Sequence, residues 1–325
     1  MRNRRNATAI AFLVWAFVAG LASSKAQSPP AALHARPNIL FLFSDDQRAD
    51  TIHALGNRRI RTPNLDRLVD QGTAFTQAHI LGALQGAVCV PSRAMMLSGR
   101  SLFRVRENLR DTPTWPGELG KAGWKTFITG KWHNGPESAI QAFAEGRNVF
   151  FGGMSDQNRV KVRDFRRESG LGPERVTDAP SSETFADTAI EFLNASKNDD
   201  TPFCLYVAFT SPHDPRTPPP AYSERYRRRL PSLPPNYLPR HPFDNGELEV
   251  RDEKLLPVPR EPDAVRREIA EYYGMITHVD AQIGRILDAL RSSGRADRTL
   301  VVFAGDNGLA LGSHGLLGKQ NLYEH

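Results

Sequence analysis

Four short stretches of this 325-residue chain are rich in apolar residues and no longer than a β-strand: residues 38–43, 126–129, 203–209 and 299–304. Uninterrupted apolar runs of this length are typical of parallel strands buried on both faces. Helix candidates lie between them, at residues 63–71, 93–98, 115–122, 182–196 and 263–291. This alternation predicts an α/β fold in which a large, mostly parallel sheet is sandwiched by helices.

Residues 211–262 break the alternation, because they are rich in proline and arginine. The runs Pro218-Pro219-Pro220 and Pro234-Pro235 predict a long, irregular insertion over one edge of the sheet. Loops of this length are usually functional or disordered. We therefore expect this insertion to have a substrate-facing role.

The N-terminus has the layout of a secretory signal peptide. Arg2, Arg4 and Arg5 precede an apolar run at residues 9–21, and Ser24-Lys25-Ala26 fits a small-x-small cleavage site. The run is shorter than the roughly 20 residues that span a bilayer. We predict a signal peptide at 1–26, a flexible lead-in at 27–36 and a catalytic domain at 37–325. The protein would be exported, periplasmic or secreted, without stable membrane insertion after cleavage.

The chain contains two cysteines, Cys89 and Cys204. Cys204 lies within the apolar run 203–209, where we expect a packing residue. Cys89 precedes Pro91, which suits the first turn of a helix. A cysteine just before a helix N-terminus would be an acidified thiol. The alternative is a small buried hydrophobe, and Cys89 taken alone favours that alternative.

Oxygen-bearing side chains follow two of the predicted strands: Asp45 and Asp46 after the first, Asp306 and Asn307 after the last. Ligands collect at the carboxyl ends of strands in open α/β sheets. Three carboxylates and an amide oxygen suit a hard divalent cation, Ca²⁺ or Mg²⁺. Taken singly, each pair is better explained by a helix cap or a turn. Their position at two strand ends favours a metal site.

Several motifs carry a specific family resemblance. Cys89-Val90-Pro91-Ser92-Arg93, followed by Ser98-Gly99-Arg100, resembles the formylglycine signature of type I sulfatases, which belong to the alkaline phosphatase superfamily. Gly130-Lys131-Trp132-His133 is similar to the second signature of that family, and residues 211–216 and 318–320 are similar to two further active-site stretches. The ordered matches run from residue 36 to the end of the chain. The resemblance implies an alkaline-phosphatase-like fold.

The resemblance also implies a chemistry. A maturation enzyme would oxidise Cys89 to formylglycine, whose hydrate attacks the sulfur of a sulfate ester. The hydrate would complete the shell of a cation, Ca²⁺ or Mg²⁺, held by Asp45, Asp46, Asp306 and Asn307. Charge on the hydrate and the sulfate would be stabilised by Arg93 and Lys131. Sulfate binding and protonation of the departing alcohol would fall to His213 and Lys319, and His133 would take the proton that lets sulfate leave.

Three functions stay open. The favoured one is a sulfatase acting on a sulfated carbohydrate or a small sulfate ester. The others are a phosphate or phosphonate ester hydrolase of the same superfamily, and a non-catalytic, metal-dependent binder of anionic glycans. The net charge of +6 suits an anionic ligand and fits a solvated basic surface equally well. We expect no nucleic-acid partner.

The sequence also gives expectations for two further histidines, for two residues beside His213 and for the C-terminus of the chain. We predict that His278 is structural, and the sequence leaves open whether His314 faces the substrate. Asp214 and Arg216 fit either a substrate contact or a turn. The sequence ends soon after Lys319, at His325. Sulfatases usually continue into a smaller C-terminal subdomain, so we expect that this chain is truncated.

Overall fold

The computed structural model describes residues 36–86 and 88–325. The predicted signal peptide and nearly all of the predicted lead-in lie outside the described residues. No helix within the described ranges is long and apolar enough to cross a membrane.

Each apolar run forms a strand, and four further strands accompany them. The strands are β1 (Asn38–Ser44), β2 (Lys125–Lys131), β3 (Glu145–Phe150), β4 (Lys161–Arg166), β5 (Gly170–Leu171), β6 (Arg175–Val176), β7 (Phe203–Ala208) and β8 (Thr299–Gly305). The sheet order in the described chain is β5-β4-β3-β2-β7-β1-β8, with β6 paired to β4. From β3 to β8 every pair is parallel, whereas β4 runs antiparallel to β3, β5 and β6. The predicted mostly parallel α/β sheet is confirmed.

Helices connect the strands. They are α1 (Pro63–Gln71), α2 (Cys89–Ser98), α3 (Trp115–Lys121), α4 (Pro136–Ala142), α5 (Ser181–Ala195), α6 (Pro220–Arg228) and α7 (Pro262–Ser292), together with short 3-10 turns. Proline occupies the first turn of α1, α3, α4, α6 and α7, where its missing N–H costs nothing. The sequence predicts α1 with its observed bounds, and α7 within a residue at each end.

The two faces of β1 contact different helical layers. Leu40 and Leu42 pack in one cluster with residues of α5 and α7, such as Leu193 and Ile283. Phe41 and Phe43 pack on the other side, in a second cluster with residues of α2, α4 and β7. Because side chains alternate along a strand, an apolar residue is needed at every position of β1. This explains the uninterrupted apolar run that the sequence shows.

The prediction of an irregular insertion at residues 211–262 is wrong in part. The segment contains α6 and a 3-10 turn, Arg251–Leu255. Tyr226 of α6 is buried against the N-terminal half of α7 in a third apolar cluster. Pro218-Pro219-Pro220 leads into α6, and Pro220 is the first residue of that helix. Proline breaks the interior of a helix, but it is well suited to the first helical turn.

Candidate active site

The carboxyl ends of β1 and β8 bring four polar side chains together. The two strands pair in parallel up to Ser44 and Gly305, so the residues that follow emerge side by side. The backbone N–H of Asp46 donates to Asp306 Oδ1 over 2.8 Å, and Asn307 Nδ2 donates to Asp46 Oδ1 over 2.8 Å. All of these side chains are buried. The convergence expected from the strand ends is present.

Cys89 lies beside this cluster. Its Sγ is 3.4 Å from Asp46 Oδ1 and 2.9 Å from Lys319 Nζ. Cys89 is the first residue of α2, rather than the residue before the helix. The expectation of an acidified thiol is wrong for the unmodified residue. Burial raises the pKa of the Cys89 thiol well above its usual value, Lys131 lowers it in part, and the carboxylates of Asp46 and Asp45 raise it further.

Arg93 and Lys131 hold the carboxylates in place. Arg93 Nε donates to Asp306 Oδ2 over 3.0 Å, and its Nη2 donates to Asp45 Oδ1 over 3.2 Å. Lys131 Nζ donates to Asp45 Oδ2 over 2.6 Å and to the carbonyl of Gly153 over 2.7 Å. Although burial raises the pKa of Asp45, Lys131 and Arg93 hold it well below its usual range. Burial and the charge of Asp45 raise the pKa of Asp306 to about 7.

His213 and Lys319 approach Asp46 from two other segments. His213 Nδ1 is 2.8 Å from the carbonyl of Asp214, to which it donates, and its Nε2 is 3.6 Å from Asp46 Oδ2. Lys319 Nζ donates to Asp46 Oδ1 over 2.5 Å. Asp214 forms an ion pair with Arg251 over 3.1 Å, which places it in a polar network beside His213.

His133 lies beside Gly153, whose carbonyl binds Lys131. A Cβ on Gly153 would come within 2.7 Å of His133 Nε2, so a larger residue at position 153 would displace the imidazole. Burial and the charges of Lys131 and Arg93 lower the pKa of His133 to about 3. The imidazole is therefore neutral at physiological pH. Its Nδ1 is buried and has no hydrogen-bond partner in the described part of the chain.

The remaining candidates lie elsewhere. His278 is buried in α7, where it contacts Glu183 at 3.0 Å and Tyr222, as expected of a structural histidine. His314 stacks on Tyr323 with ring centroids 4.1 Å apart and contacts Glu324. Cys204 is buried in β7, as predicted, and burial raises its pKa to about 12. Arg216 forms an ion pair with Glu268 over 2.5 Å.

Sequence reasoning missed several residues that hold the site together. Tyr272 donates from its hydroxyl to the carbonyl of Asp46 over 2.5 Å. Gln157 donates to the carbonyl of His213 over 2.9 Å and accepts from Thr210 over 2.7 Å. Glu253 binds the backbone just before Lys319. None of these three lies in a motif, and each reaches the site from a distant part of the chain.

The donor atoms suit a hard divalent cation. Ligand atoms of Asp45, Asp46, Cys89 and Asp306 all lie within 4.8 Å of one another. Two buried oxygens, Asp46 Oδ2 and Asn307 Oδ1, accept no hydrogen bond from any described residue. A buried acceptor without a donor is costly. Carboxylate and amide oxygens are the ligands that Ca²⁺ and Mg²⁺ prefer, so the residues present fit such an ion.

Comparison with known proteins agrees with this geometry. The sulfatase family model matches residues 37–325. An arylsulfatase of Clostridium perfringens is 28% identical over 327 residues, covering 89% of this chain and 66% of its own. An N-acetylglucosamine-6-O-sulfatase of Bacteroides thetaiotaomicron is 26% identical over 370 residues, covering 94% of this chain and 64% of its own. The chain thus spans slightly less than two thirds of either relative.

A solved structure shows the same fold. It is a protein in complex with its substrate D-glucosamine-2-N,6-O-disulfate, and it superposes with a TM-score of 0.70 at 25% identity, covering 89% of this chain and 69% of that one. The family match extends over the strands, the motifs and every candidate site residue described above. The chain belongs to the sulfatase family.

Proposed function

We propose that this protein hydrolyses sulfate esters, of a sulfated carbohydrate or a small alcohol, with formylglycine made from Cys89 and a bound Ca²⁺ or Mg²⁺. Membership of the sulfatase family supports the reaction class. The observation that carries the proposal is the position of Cys89: its Sγ lies 2.9 Å from Lys319 Nζ and 3.4 Å from Asp46 Oδ1. A nucleophile placed here would have a cationic side chain and a candidate metal ligand on either side.

Charge balance supports an anionic substrate. Three buried carboxylates, on Asp45, Asp46 and Asp306, face three buried cationic side chains, on Arg93, Lys131 and Lys319. With all three carboxylates ionised, as metal binding requires, the protein groups are neutral as a set. A divalent cation adds two positive charges. A sulfate monoester and an ionised hydroxyl at position 89 would supply two negative charges, so the loaded site would again be balanced.

Two groups, a bound divalent cation and the formylglycine made from Cys89, would supply chemistry at this site. A divalent cation polarises a sulfate and favours ionisation of a neighbouring hydroxyl. Formylglycine supplies a hydrated aldehyde, in which one hydroxyl is the nucleophile and the other provides the exit for sulfate. Asp45, Asp46, Asp306 and Asn307 would hold the ion, and the free oxygens Asp46 Oδ2 and Asn307 Oδ1 support that assignment.

The cationic residues would orient and stabilise. Arg93 commits three of its donors to Asp306, Asp45 and the carbonyl of Lys131, so its main action would be to orient the carboxylates. Lys131 Nζ has one proton left after its hydrogen bonds to Asp45 and Gly153, and Lys319 Nζ has one left after its hydrogen bonds to Asp46 and Cys89. These protons would stabilise the charge on the sulfate and on the attacking oxygen.

Two histidines would move protons. His213 donates through Nδ1 to a carbonyl, which leaves Nε2 facing Asp46 and the site. Together with Lys319, it would protonate the departing alcohol. His133 is neutral, because its pKa is lowered to about 3, and can therefore accept a proton. An anionic ester beside it would raise that pKa and strengthen it as a base.

The burial of Cys89 bears on maturation. The residue is only 2% exposed, so a formylglycine-generating enzyme must reach it before the domain closes around α2. On the basis of the predicted signal peptide, we also propose that the protein is exported to the periplasm or secreted.

Hydrolysis of an aryl sulfate in the presence of Ca²⁺ tests the proposal. Cys89→Ala should abolish turnover and leave the fold intact, whereas Cys204→Ala, which removes the other buried thiol, should stay active. Mass spectrometry of the peptide that contains Cys89 should show the loss of hydrogen sulfide and the gain of one oxygen atom. Faster hydrolysis of an aryl phosphate would contradict a sulfatase, and a fully unmodified Cys89 in an active preparation would exclude the aldehyde.

A further inference from the structure

The backbone that precedes Lys319 is bound by a side chain from the proline-rich segment. Glu253, in the 3-10 turn Arg251–Leu255, accepts the N–H of Leu317 at Oε2 over 2.9 Å and the N–H of Gly318 at Oε1 over 2.8 Å. One carboxylate thus captures two consecutive amides. The side chain of Glu253 is 3% exposed, so these charge-assisted hydrogen bonds are shielded from water.

The carboxylate of Glu253 is itself held. Arg260 Nη2 donates to Glu253 Oε2 over 2.9 Å, and both side chains are almost fully buried. Tyr237 donates from its hydroxyl to the carbonyl of Arg260, which secures the second partner. A buried carboxylate that is paired and fully hydrogen-bonded has a single orientation.

Close packing fixes the same stretch. A Cβ on Gly318 would lie 2.9 Å from Asp252 Cβ and 3.1 Å from Glu253 Oε1, so the peptide lies directly on the turn. On the far side of Lys319, Gln320 Nε2 donates to Asp252 Oδ2 over 2.9 Å. Lys319 therefore leaves the backbone between two anchored neighbours.

We propose that Glu253 is a positioning residue for the reaction: it fixes the backbone at Leu317 and Gly318 and thereby aims Lys319 Nζ at Cys89 and Asp46. This inference rests on the proposed function, in which Lys319 binds the sulfate. It also gives the segment at 211–262 a role in the chemistry as well as in the shape of the pocket. A mere stabilising contact would not act through Lys319.

A double-mutant cycle with Glu253 and Lys319 separates a positioning role of Glu253 from a purely stabilising one. With an aryl sulfate as substrate, Glu253→Ala should lower kcat about 10²-fold, the loss typical of a displaced catalytic group. In the Lys319→Ala background, the same change should lower kcat by less than about threefold, because the group being aimed is gone. Glu249→Ala is the matched control, since that side chain is 92% exposed in the same segment and forms an ion pair with the exposed Lys254. It should leave kcat unchanged.

The proposal would be overturned if Glu253→Ala lowered kcat by the same factor in the wild type and in the Lys319→Ala variant. It would also be overturned if Glu253→Ala left the kcat of the wild type unchanged. If Glu253→Ala does not fold, Glu253→Gln serves instead, because its amide oxygen retains one acceptor while the pair with Arg260 is lost. A smaller loss of kcat that again disappears in the Lys319→Ala background would support the proposal.

Crystal structures of the variants give a readout without turnover. Lys319 Nζ should move more than about 1 Å away from the carboxylate of Asp46, now 2.5 Å distant. An unmoved Lys319 would overturn the positioning role even in a protein that hydrolyses no sulfate ester. A displaced Lys319 in such a protein would count against the proposed function alone.

Discussion

Lys131 offers the sharpest test of how the buried charges support one another. Its side chain is fully buried, and its Nζ donates to Asp45 Oδ2 over 2.6 Å and to the carbonyl of Gly153 over 2.7 Å. Lys131→Met keeps the length and apolar volume of the stem but removes both donors. One carboxylate oxygen and one carbonyl are then left without their partner.

The contacts set the size of the effect. Removing one partner of a buried ion pair costs about 3–5 kcal/mol. Arg93 still binds Asp45 Oδ1 over 3.2 Å, so part of the charge stays compensated. The orphaned carbonyl of Gly153 adds about 1–3 kcal/mol. We expect a loss of about 4 kcal/mol in the free energy of unfolding at pH 7, or about 8 °C in Tm at roughly 2 °C per kcal/mol.

The loss should depend on pH. Burial opposes ionisation of Asp45, yet Lys131 and Arg93 hold its pKa well below the usual range. A depressed carboxylate pKa contributes stability above the unfolded-state pKa of about 4, and that contribution disappears as the pH falls through the folded-state pKa. Lys131→Met makes this depression smaller. The difference between wild type and variant should therefore narrow as the pH falls below about 4.

Urea unfolding at several pH values, in the presence of a chelator, measures this difference. Lys121→Met is the matched control: Lys121 is 72% exposed and pairs with Glu118 over 2.8 Å, so its loss should cost less than about 1 kcal/mol. A loss below about 1 kcal/mol for Lys131→Met at pH 7, or a difference that widens in acid, would refute the reasoning.

Three further predictions concern stability. His133 has a pKa lowered to about 3, so the wild type should lose stability as the pH falls from about 6.5, where the unfolded state takes up a proton; His133→Gln should flatten that slope in pH-dependent unfolding. Gly130→Ala should cost more than about 3 kcal/mol in urea unfolding, because φ is +95° and the new Cβ would lie 1.8 Å from the carbonyl oxygen of Ala208. Gly120→Ala, in α3 with ordinary contacts at 3.5 Å, should be neutral or stabilising. Ca²⁺ at about 100 times its Kd should raise the free energy of unfolding of the wild type by about 2.7 kcal/mol, as measured by calorimetry. Asn307→Leu removes a buried oxygen and should make this increase smaller at the same Ca²⁺ concentration. An equal increase in both proteins would contradict the assignment of Asn307 as a ligand.

The central strands are predictable from sequence because burial on both faces leaves mainly apolar residues in them. β7 is apolar throughout and is found at its predicted position. β4 was missed for the opposite reason: it reads KVRDFR, with buried Val162 and Phe165 spaced by three residues, which matches neither alternation nor a continuous run. α6 was missed because Pro218-Pro219-Pro220 was interpreted as irregular, although proline also begins helices.

The residues of the candidate site likewise differ in whether the sequence predicts them. Cys89, Arg93, Lys131 and Lys319 lie in contiguous motifs, so a family resemblance identifies them, and the structure brings their side chains together. Glu253 carries no comparable signal, because it binds backbone N–H groups that any sequence would present. A side chain that acts on main-chain atoms 64 residues away leaves no local pattern.

The buried charges come from separate segments, so their distances depend on the register of the sheet. Asp45 and Asp306 follow strands that pair from Asn38 with Thr299 to Ser44 with Gly305. A slip of one residue along β1 would move its end by about 3.3 Å and turn its side chains to the opposite face. Gly130 constrains β2 just before Lys131, since its backbone approaches Ala208 too closely for any side chain. The geometry of the candidate site therefore depends on the strand register, because the register seen here brings the carboxylates to their cationic partners.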